Sequence, residues 1–340
     1  MTAEIIFASN KLGTVHPNQV QSMLDYHHYG RLVAFEKTGN GAMGQTLFIR
    51  SSHGEYVLKG NPLYPGQLQE EQYFIKRLQQ QTTVPLPSPY HINENHSLFG
   101  WSYALMPRLT GNHINDETLQ TKESLAVADA IARTLLQFHK WTEPTFGQLN
   151  PADQTISPFQ HSYTNWLFQR ILYWLNDASR FSTIATKDLR WTEKNLEDSK
   201  QGFTDLTSST FVMGDFKPGN FLINQGPEGW CVSAVFDFTN AYFADPVSDL
   251  SKMLLYYMNE KQMAVAERLL HTYFAKALHA SMQKRLTVHL IHQLVLDWGN
   301  AKATGAVTWD NELPFHQWAN QYVEQLKQLC ARISTLDKKN

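Results

Sequence analysis

Residues 212–250, VMGDFKPGNFLINQGPEGWCVSAVFDFTNAYFADPVSDL, constrain this chain more than any other segment. Pro218 and Gly219 fall between Asp215 and Asn220, so these two polar residues belong to an irregular loop rather than to one helix. Two apolar runs follow, at 221–223 and 232–236, and the pattern predicts a hairpin. The second run ends at Asp237, which the hairpin returns to the loop. An Asp-Pro step at 245–246 closes the segment. A polar turn before a strand collects Asp, Asn, Gly and Pro by turn chemistry alone. The second carboxylate at the end of the next strand is what sets this turn apart.

A carboxylate, an amide and a second carboxylate are the side chains that phosphoryl transfer from Mg-ATP requires beside the γ-phosphate. On that reading Asp215 takes the proton of an attacking hydroxyl, and Asn220 and Asp237 hold Mg2+. Lys217, between them, adds positive charge against the transferred group.

The preceding sequence supplies a place for a nucleotide. Residues 17–29 read as a helix. Three short strands follow, around 32–35, 47–49 and 56–58, with His53-Gly54 as a tight connection. Gly39, Gly41 and Gly44 have the spacing G-x-G-x-x-G. A strand rather than a helix follows them, which fits a flap over phosphates and not a dinucleotide fold; a plain hairpin turn would also collect these glycines. Lys59 ends the third strand, and a lysine there needs a partner for its charge. Glu71, on the helix expected over 66–80, can provide it. Glu70 is the alternative, but Ile75 and Leu78 place Glu71 on the apolar face. A surface lysine beside a solvated helix end is the plainer reading of the same residues. Residues 82–90 are a proline-rich connector, and 99–107 form another apolar strand.

Beyond 109–111 the pattern turns helical, over 121–141, 157–178 and 246–335, interrupted only by the two strands of the hairpin. The expected fold is therefore α+β: a bilobal, protein-kinase-like arrangement with a small β-rich N-terminal lobe and a larger helical C-terminal lobe. Residues 1–107 would be the nucleotide-binding lobe, and 108–340 would carry the catalytic loop and acceptor site.

Composition narrows the alternatives. Twenty-nine basic against 31 acidic residues leave no basic excess for nucleic acid. Two cysteines, Cys231 and Cys330, cannot make a disulfide framework or a cysteine-rich zinc module. No apolar run reaches 18 residues, and the N-terminus lacks the basic and apolar regions of a signal peptide. The expected compartment is the cytoplasm.

The motifs together resemble the aminoglycoside phosphotransferase and choline kinase-like family. Its signature, H-G-D-x-x-x-x-N followed by an Asp strand end and D-P-x-x-D-L, is matched by MGDFKPGN and VFDFTNAYFADPVSDL. YVLKG, EEQYFIKRL, TTVPLPSP, WSYALMPRLTG and LLQFHK occur in the family's order, so the likeness covers roughly residues 30–255. It implies Asp215 as catalytic base, Asn220 and Asp237 as magnesium ligands, and Lys59, held by Glu71, on the α- and β-phosphates. It implies a phosphate flap of Gly39, Gly41 and Gly44, and backbone contacts to adenine from the strand around Met106. Asp249 would brace the catalytic loop. The acceptor would be a hydroxyl-bearing small molecule of aminoglycoside, amino-alcohol or sugar type, with ATP and Mg2+ as cosubstrate and metal.

Met213 departs from the signature, standing where the family carries histidine. It is the one sequence argument for a degenerate nucleotide-binding protein. A protein kinase is the third reading, because D-x-K-P-x-N has that spacing, but only about eight residues lie between Asp237 and Asp245, and no Ala-Pro-Glu element follows. Two further clusters carry weaker signals. His289 and His292 share a helical face without a third ligand and read as core or groove histidines. Asp297, Trp298, Trp309, Asp310 and Glu312 would suit a cationic acceptor, or else helix packing with a polar loop.

Overall fold

The computed structural model describes residues 11–38, 44–274 and 278–336. The first part is an antiparallel sheet. Strands β1 (Leu32–Lys37), β2 (Thr46–Ser51), β3 (Glu55–Gly60), β4 (His91–Asn93) and β5 (Tyr103–Pro107) lie in the order β1-β2-β3-β5-β4. Side chains alternate across it. Leu47, Ile49, Leu58 and Leu105 pack with Val20, Met23 and Leu24 of helix α1 (Pro17–Tyr26). Val57, Ala104 and Met106 face the other way, into the core shared with helix α2 (Gln67–Gln81). Each fully buried Leu or Ile of this sandwich contributes about 1.5–3 kcal/mol. Lys59, two residues after Val57 on β3, points to the α2 face, and this alternation is what puts its ammonium beside Glu71.

The chain leaves β5 through 109–111 and is tied to the hairpin of the 212–250 segment. Asn112 and Ile223 exchange backbone hydrogen bonds of 3.0 and 2.9 Å, and Ser233 Oγ donates to the Thr110 carbonyl at 2.9 Å. Gly111, at φ +140°, is required here: a Cβ would lie 2.2 Å from Ser233 Oγ.

The second part is mainly helical. Helices α3 (Thr121–Phe138), α4 (Tyr163–Ala178), α5 (Thr186–Ser199), α6 (Leu250–Asn259), α7 (Met263–Phe274), α8 (Ala280–Thr304) and α9 (Phe315–Leu336) surround one continuous apolar core. A second five-stranded sheet is embedded in it: β6 (Thr142–Glu143), β7 (Gly147–Asn150), β8 (Thr155–Pro158), β9 (Ser209–Val212) and β12 (Tyr242–Ala244), ordered β6-β9-β12-β7-β8. The remaining strands, β10 (Phe221–Gly226) and β11 (Gly229–Val235), pair as the expected hairpin. The fold is thus the expected α+β arrangement, a sheet-built N-terminal region and a helical C-terminal part.

Several boundaries differ from the sequence reading. The strand expected over 99–107 starts only at Tyr103, because Phe99 and Trp101 stack on each other at 4.7 Å and cover the sheet margin instead of extending it. The helix expected from 157 starts at Tyr163, where the Ser162 side chain accepts from Asn165 N, and 155–158 are a strand. Strand β4 and the second sheet were not anticipated. Among the described residues no helix is long and apolar enough to cross a membrane.

Candidate active site

The 212–250 segment runs from the end of β9 through an irregular loop into the hairpin. Gly214 makes the turn at φ +74°, and a Cβ there would lie 2.3 Å from the Asn240 carbonyl oxygen, so only glycine fits. Asp215 follows, 6% exposed. Its Oδ2 accepts from Lys217 Nζ at 2.8 Å and from Asn220 Nδ2 at 2.9 Å, and its Oδ1 is bonded to Lys252 Nζ. Asn220 Nδ2 also donates to the Asp215 carbonyl at 2.8 Å, locking the loop on itself. Phe216 stacks on Phe221 at 5.1 Å beneath it.

The hairpin delivers Asp237 to this loop. Phe236 N donates to the Asn220 carbonyl at 3.1 Å. Asp237 itself sits at φ +69°, in the left-handed region that few non-glycine residues adopt. Its Oδ1 accepts from Lys59 Nζ at 2.8 Å and Thr239 Oγ1 at 2.8 Å. Lys59 Nζ also donates to Glu71 Oε2 at 3.0 Å. Glu71 is anchored in turn by Tyr90 OH at 2.7 Å and Phe238 N at 3.1 Å. Burial pushes the Asp237 carboxyl up, but the Lys59 charge, hydrogen bonds from Lys59 and Thr239, and the Lys217 charge together hold it at about 2. The Lys59 ammonium is stabilised against its own burial by the two carboxylates, which raise its pKa.

Glu70 takes a separate position. It accepts from Tyr64 OH at 2.9 Å, and burial, with the Glu71 charge adding to it, pushes its carboxyl from 4.5 up to about 7 despite the Tyr64 bond. A folded-state value above the ordinary one means that the protonated form is favoured by folding. This contribution is full below about pH 4.5 and fades as pH rises through 7. Between pH 5 and pH 8 the thermal midpoint of the native chain is expected to fall further than that of Glu70→Gln. Parallel midpoint curves for the two proteins would refute this.

Asp249 holds the loop from below. Its Oδ2 accepts from Met213 N and its Oδ1 from Gly214 N, both at 2.8 Å. His139 Nε2 lies 3.2 Å from the same Oδ2, while His139 Nδ1 meets Tyr273 OH at 2.7 Å. Met213 is fully buried, so its side chain contributes packing, and the hydrogen bonds come from its own backbone and from His139, reaching in after α3. Asp249→Ala should cost about 1–3 kcal/mol for each buried donor left unpaired. It should also lower any phosphoryl transfer by about tenfold or more through misplacement of Asp215. Urea denaturation and single-substrate kinetics read the two effects, and an unchanged denaturation midpoint would contradict the brace.

The remaining expectations fare differently. Gly39 and Gly41 lie outside the described residues; Gly44 is described, at φ +59°. Met106 opposes Val57 on β3, and Arg108 N donates to the Glu55 carbonyl. By the alternation of an antiparallel ladder, Met106 turns its own N–H and C=O toward β3 as well. Strand β4 pairs with β5 only at Tyr103–Leu105, so the open side beyond it is served by neighbours of Met106, starting with the Pro107 carbonyl. The aromatic-acidic cluster near the end of the chain is helix packing. Trp298 is 1% exposed between Trp309 and Trp318, each 5.4 Å away, and Asp310 and Glu312 are exposed. Among the described residues no group of three potential metal ligands of His, Cys, Asp or Glu type occurs, and His289 instead meets Asp245 at 3.0 Å.

A cleft of about 620 Å³ opens beside Asp215, between the N-terminal sheet region and helices α4, α6 and α8. Lys217, Lys252, Arg170, Trp166, Tyr242 and His292 are among its walls; Lys59, Glu71 and Met106 are not. Lys252 escaped the sequence reading. Its signal was available, because it stands three residues after Asp249, one turn along the same face.

A buried carboxylate with an amide partner in a Gly-Asp loop, and a Lys–Glu–Asp cluster on the adjoining sheet, define a kinase-like phosphotransferase fold. The chain belongs to the phosphotransferase enzyme family, whose model matches residues 35–284. It is similar to acyl-CoA dehydrogenase family member 11 of Rattus norvegicus, at 24% identity over 240 residues, and to the Mus musculus protein, at 23%. These matches cover 67% of this chain but only 29% of either relative, so the chain spans less than a third of the curated relatives it matches. Among solved structures, a thermostable mutant of aminoglycoside phosphotransferase APH(4)-Ia, in ternary complex with ADP and hygromycin B, superposes with a TM-score of 0.60 at 16% identity. That match covers 93% of this chain and 98% of the other. The GDP complex of wild-type aminoglycoside 2'-phosphotransferase-IIIa gives 0.60 at 14% identity, covering 95% and 99%.

Proposed function

We propose that the chain is a small-molecule kinase that transfers the γ-phosphoryl group of ATP to a hydroxyl. The observation that carries this reading is a pair of linked clusters, Asp215 with Asn220 and Asp237 with Lys59 and Glu71, joined by the hydrogen bond from Phe236 N to the Asn220 carbonyl, with Asp215 in the wall of a cleft large enough for a small acceptor. Lys59 would neutralise the α- and β-phosphates, oriented by Glu71. Asp215 would orient the acceptor hydroxyl and take its proton, which requires the hydroxyl to displace one of its lysine partners. Lys217, bonded to Asp215 and close enough to lower the Asp237 pKa, would meet the charge on the transferred phosphoryl.

Mg2+ fits the donor set. Asn220 uses its amide nitrogen toward Asp215, and Asp237 uses one oxygen toward Lys59 and Thr239, so each keeps an oxygen without a protein hydrogen-bond donor among the described residues. Hard oxygen donors of this kind suit Mg2+, which would neutralise phosphate charge when bound. Relatives of the fold bind ADP or GDP, and one binds hygromycin B beside ADP, which supports nucleotide use and a hydroxylated acceptor. The reading as a protein kinase is disfavoured by the short turn and the strand β12 that fill the stretch after Asp237, leaving no room for a peptide-docking segment. The test is ADP release and 31P NMR of the product with Mg-ATP and a panel of hydroxylated metabolites, sugars and aminoglycosides. Phosphoryl transfer to none of them, with no Mg-ATP-dependent thermal stabilisation, would overturn the proposal.

A further inference from the structure

The charge of the cleft bears on what the acceptor is. Among the described residues, three cationic side chains line it: Lys217, Lys252 and Arg170. The first two share Asp215. Of the other carboxylates in the walls, Asp249 spends its oxygens on Met213 N, Gly214 N and His139. Glu70 is bonded to Tyr64, and burial pushes its carboxyl up to about 7. Asp297 does not line the cleft; it accepts from the Gln293 amide at 2.6 Å, and burial pushes its carboxyl up. Arg170 has no carboxylate partner among the described residues.

Arg170 is nevertheless built in. It occupies the middle of an i, i+4, i+8 ladder on α4, with its guanidinium 5.4 Å from the Trp166 ring and 5.7 Å from the Trp174 ring. The two indoles fix the side chain without neutralising it. It is half-buried, and burial lowers its pKa, so a bare guanidinium here carries a desolvation cost that an anion would relieve. His292, on α8 in the same wall, feels the same field: burial and then the charges of Arg170, His289 and Lys252 drive its pKa far down. The neutral ring keeps its Nε2 buried and without a hydrogen-bond partner among the described residues.

On the reading of this chain as a small-molecule kinase, we propose that the acceptor is an anionic alcohol, its carboxylate or phosphate gripped by Arg170 and Lys252 while its hydroxyl meets Asp215. The guanidinium fork matches either anion in two-point fashion. Lys252, on α6, is bonded to Asp215 and lines the same cleft as Arg170. Aminoglycosides, whose amino groups are cations at neutral pH, meet repulsion from the same three residues.

The test uses the full chain with Mg-ATP and matched linear alcohols of increasing length that differ only at the far end: ω-hydroxycarboxylates, ω-hydroxyalkyl phosphates, diols and amino alcohols. A kcat/KM at least about tenfold higher for one of the anionic series supports the proposal, and which of the two it is names the group. Equal use of all series, a preference for amino alcohols, or no binding of either anion overturns it. Arg170→Gln should raise the anion KM by about tenfold or more with a smaller change in kcat, and Arg170→Lys should recover part of the loss. An unmoved KM in Arg170→Gln also overturns it. Thermal stabilisation by Mg-ATP is scored separately. If it is absent while hydroxycarboxylates still stabilise the chain, the kinase reading fails and the anion-binding cleft stands.

Discussion

Asp215→Asn is expected to lower phosphoryl transfer by about 10²–10⁴-fold, the usual contribution of a positioned general base, while Mg-ATP binding changes little. The argument rests on how Asp215 is held. Three nitrogen donors converge on its two oxygens, Lys217 Nζ, Asn220 Nδ2 and Lys252 Nζ, and its own carbonyl is tied to Asn220. An amide keeps the shape but cannot take a proton, and it turns an NH2 group toward at least one ammonium. Two lysines are also left without their shared counter-charge, so some loss of stability should accompany the loss of rate. The two effects separate by measurement: urea denaturation reports the first, and kcat against KM for ATP reports the second. Wild-type turnover in Asp215→Asn would remove Asp215 from the chemistry whatever its surroundings.

Much of this arrangement was legible in the sequence because it is local. Asp215, Asn220 and Asp237 are set by a Pro-Gly loop and a hairpin within about 25 residues of one another, and turn chemistry plus alternation suffices to bring them together. The choice of Glu71 over Glu70 followed from helical spacing alone, and the structure gives Lys59 to Glu71 and Tyr64 to Glu70. What the sequence did not yield is non-local or short. Strands of two to four residues such as β6, β7 and β12 are below the length at which alternation is detectable. They exist because partners far along the chain complete them, as Phe243 does by pairing with both Gly147 and Phe211. The cleft beside Asp215 draws its walls from α4, α6 and α8, and Arg170, Lys252 and His292 are each unremarkable in their own helix. The late tryptophans allowed two readings in the sequence, a pocket for a cation or helix packing, and the structure gives the second, with Trp298 of α8 against Trp318 of α9.

The second large effect concerns Lys59 and Asp237, which should differ sharply in what they cost. Lys59 Nζ stands between Glu71 and Asp237, and its side chain is 11% exposed against 3% for Glu71. Lys59→Met strands the Glu71 carboxylate, whose remaining donors are Tyr90 OH and Phe238 N. Breaking a buried pair from one side costs up to about 3–5 kcal/mol, and these two hydrogen bonds should reduce that here. Asp237→Asn leaves the Lys59–Glu71 pair intact, and the Asp237 side chain is 37% exposed, so its stability cost should be much smaller. For transfer the order reverses. Asp237→Asn takes away the only carboxylate proposed for Mg2+, and a fall of about 10²–10³ is expected, the scale of losing one preorganised charge at the reacting centre. Raising the Mg2+ concentration should recover part of it. The direct bond between Lys59 and Asp237 makes the two changes non-additive, with a coupling of about 0.5–3 kcal/mol in a double-mutant cycle on urea-denaturation stability. A cycle that closes to zero would mean that this pair carries no stability, and a magnesium requirement unchanged in Asp237→Asn would move the metal elsewhere.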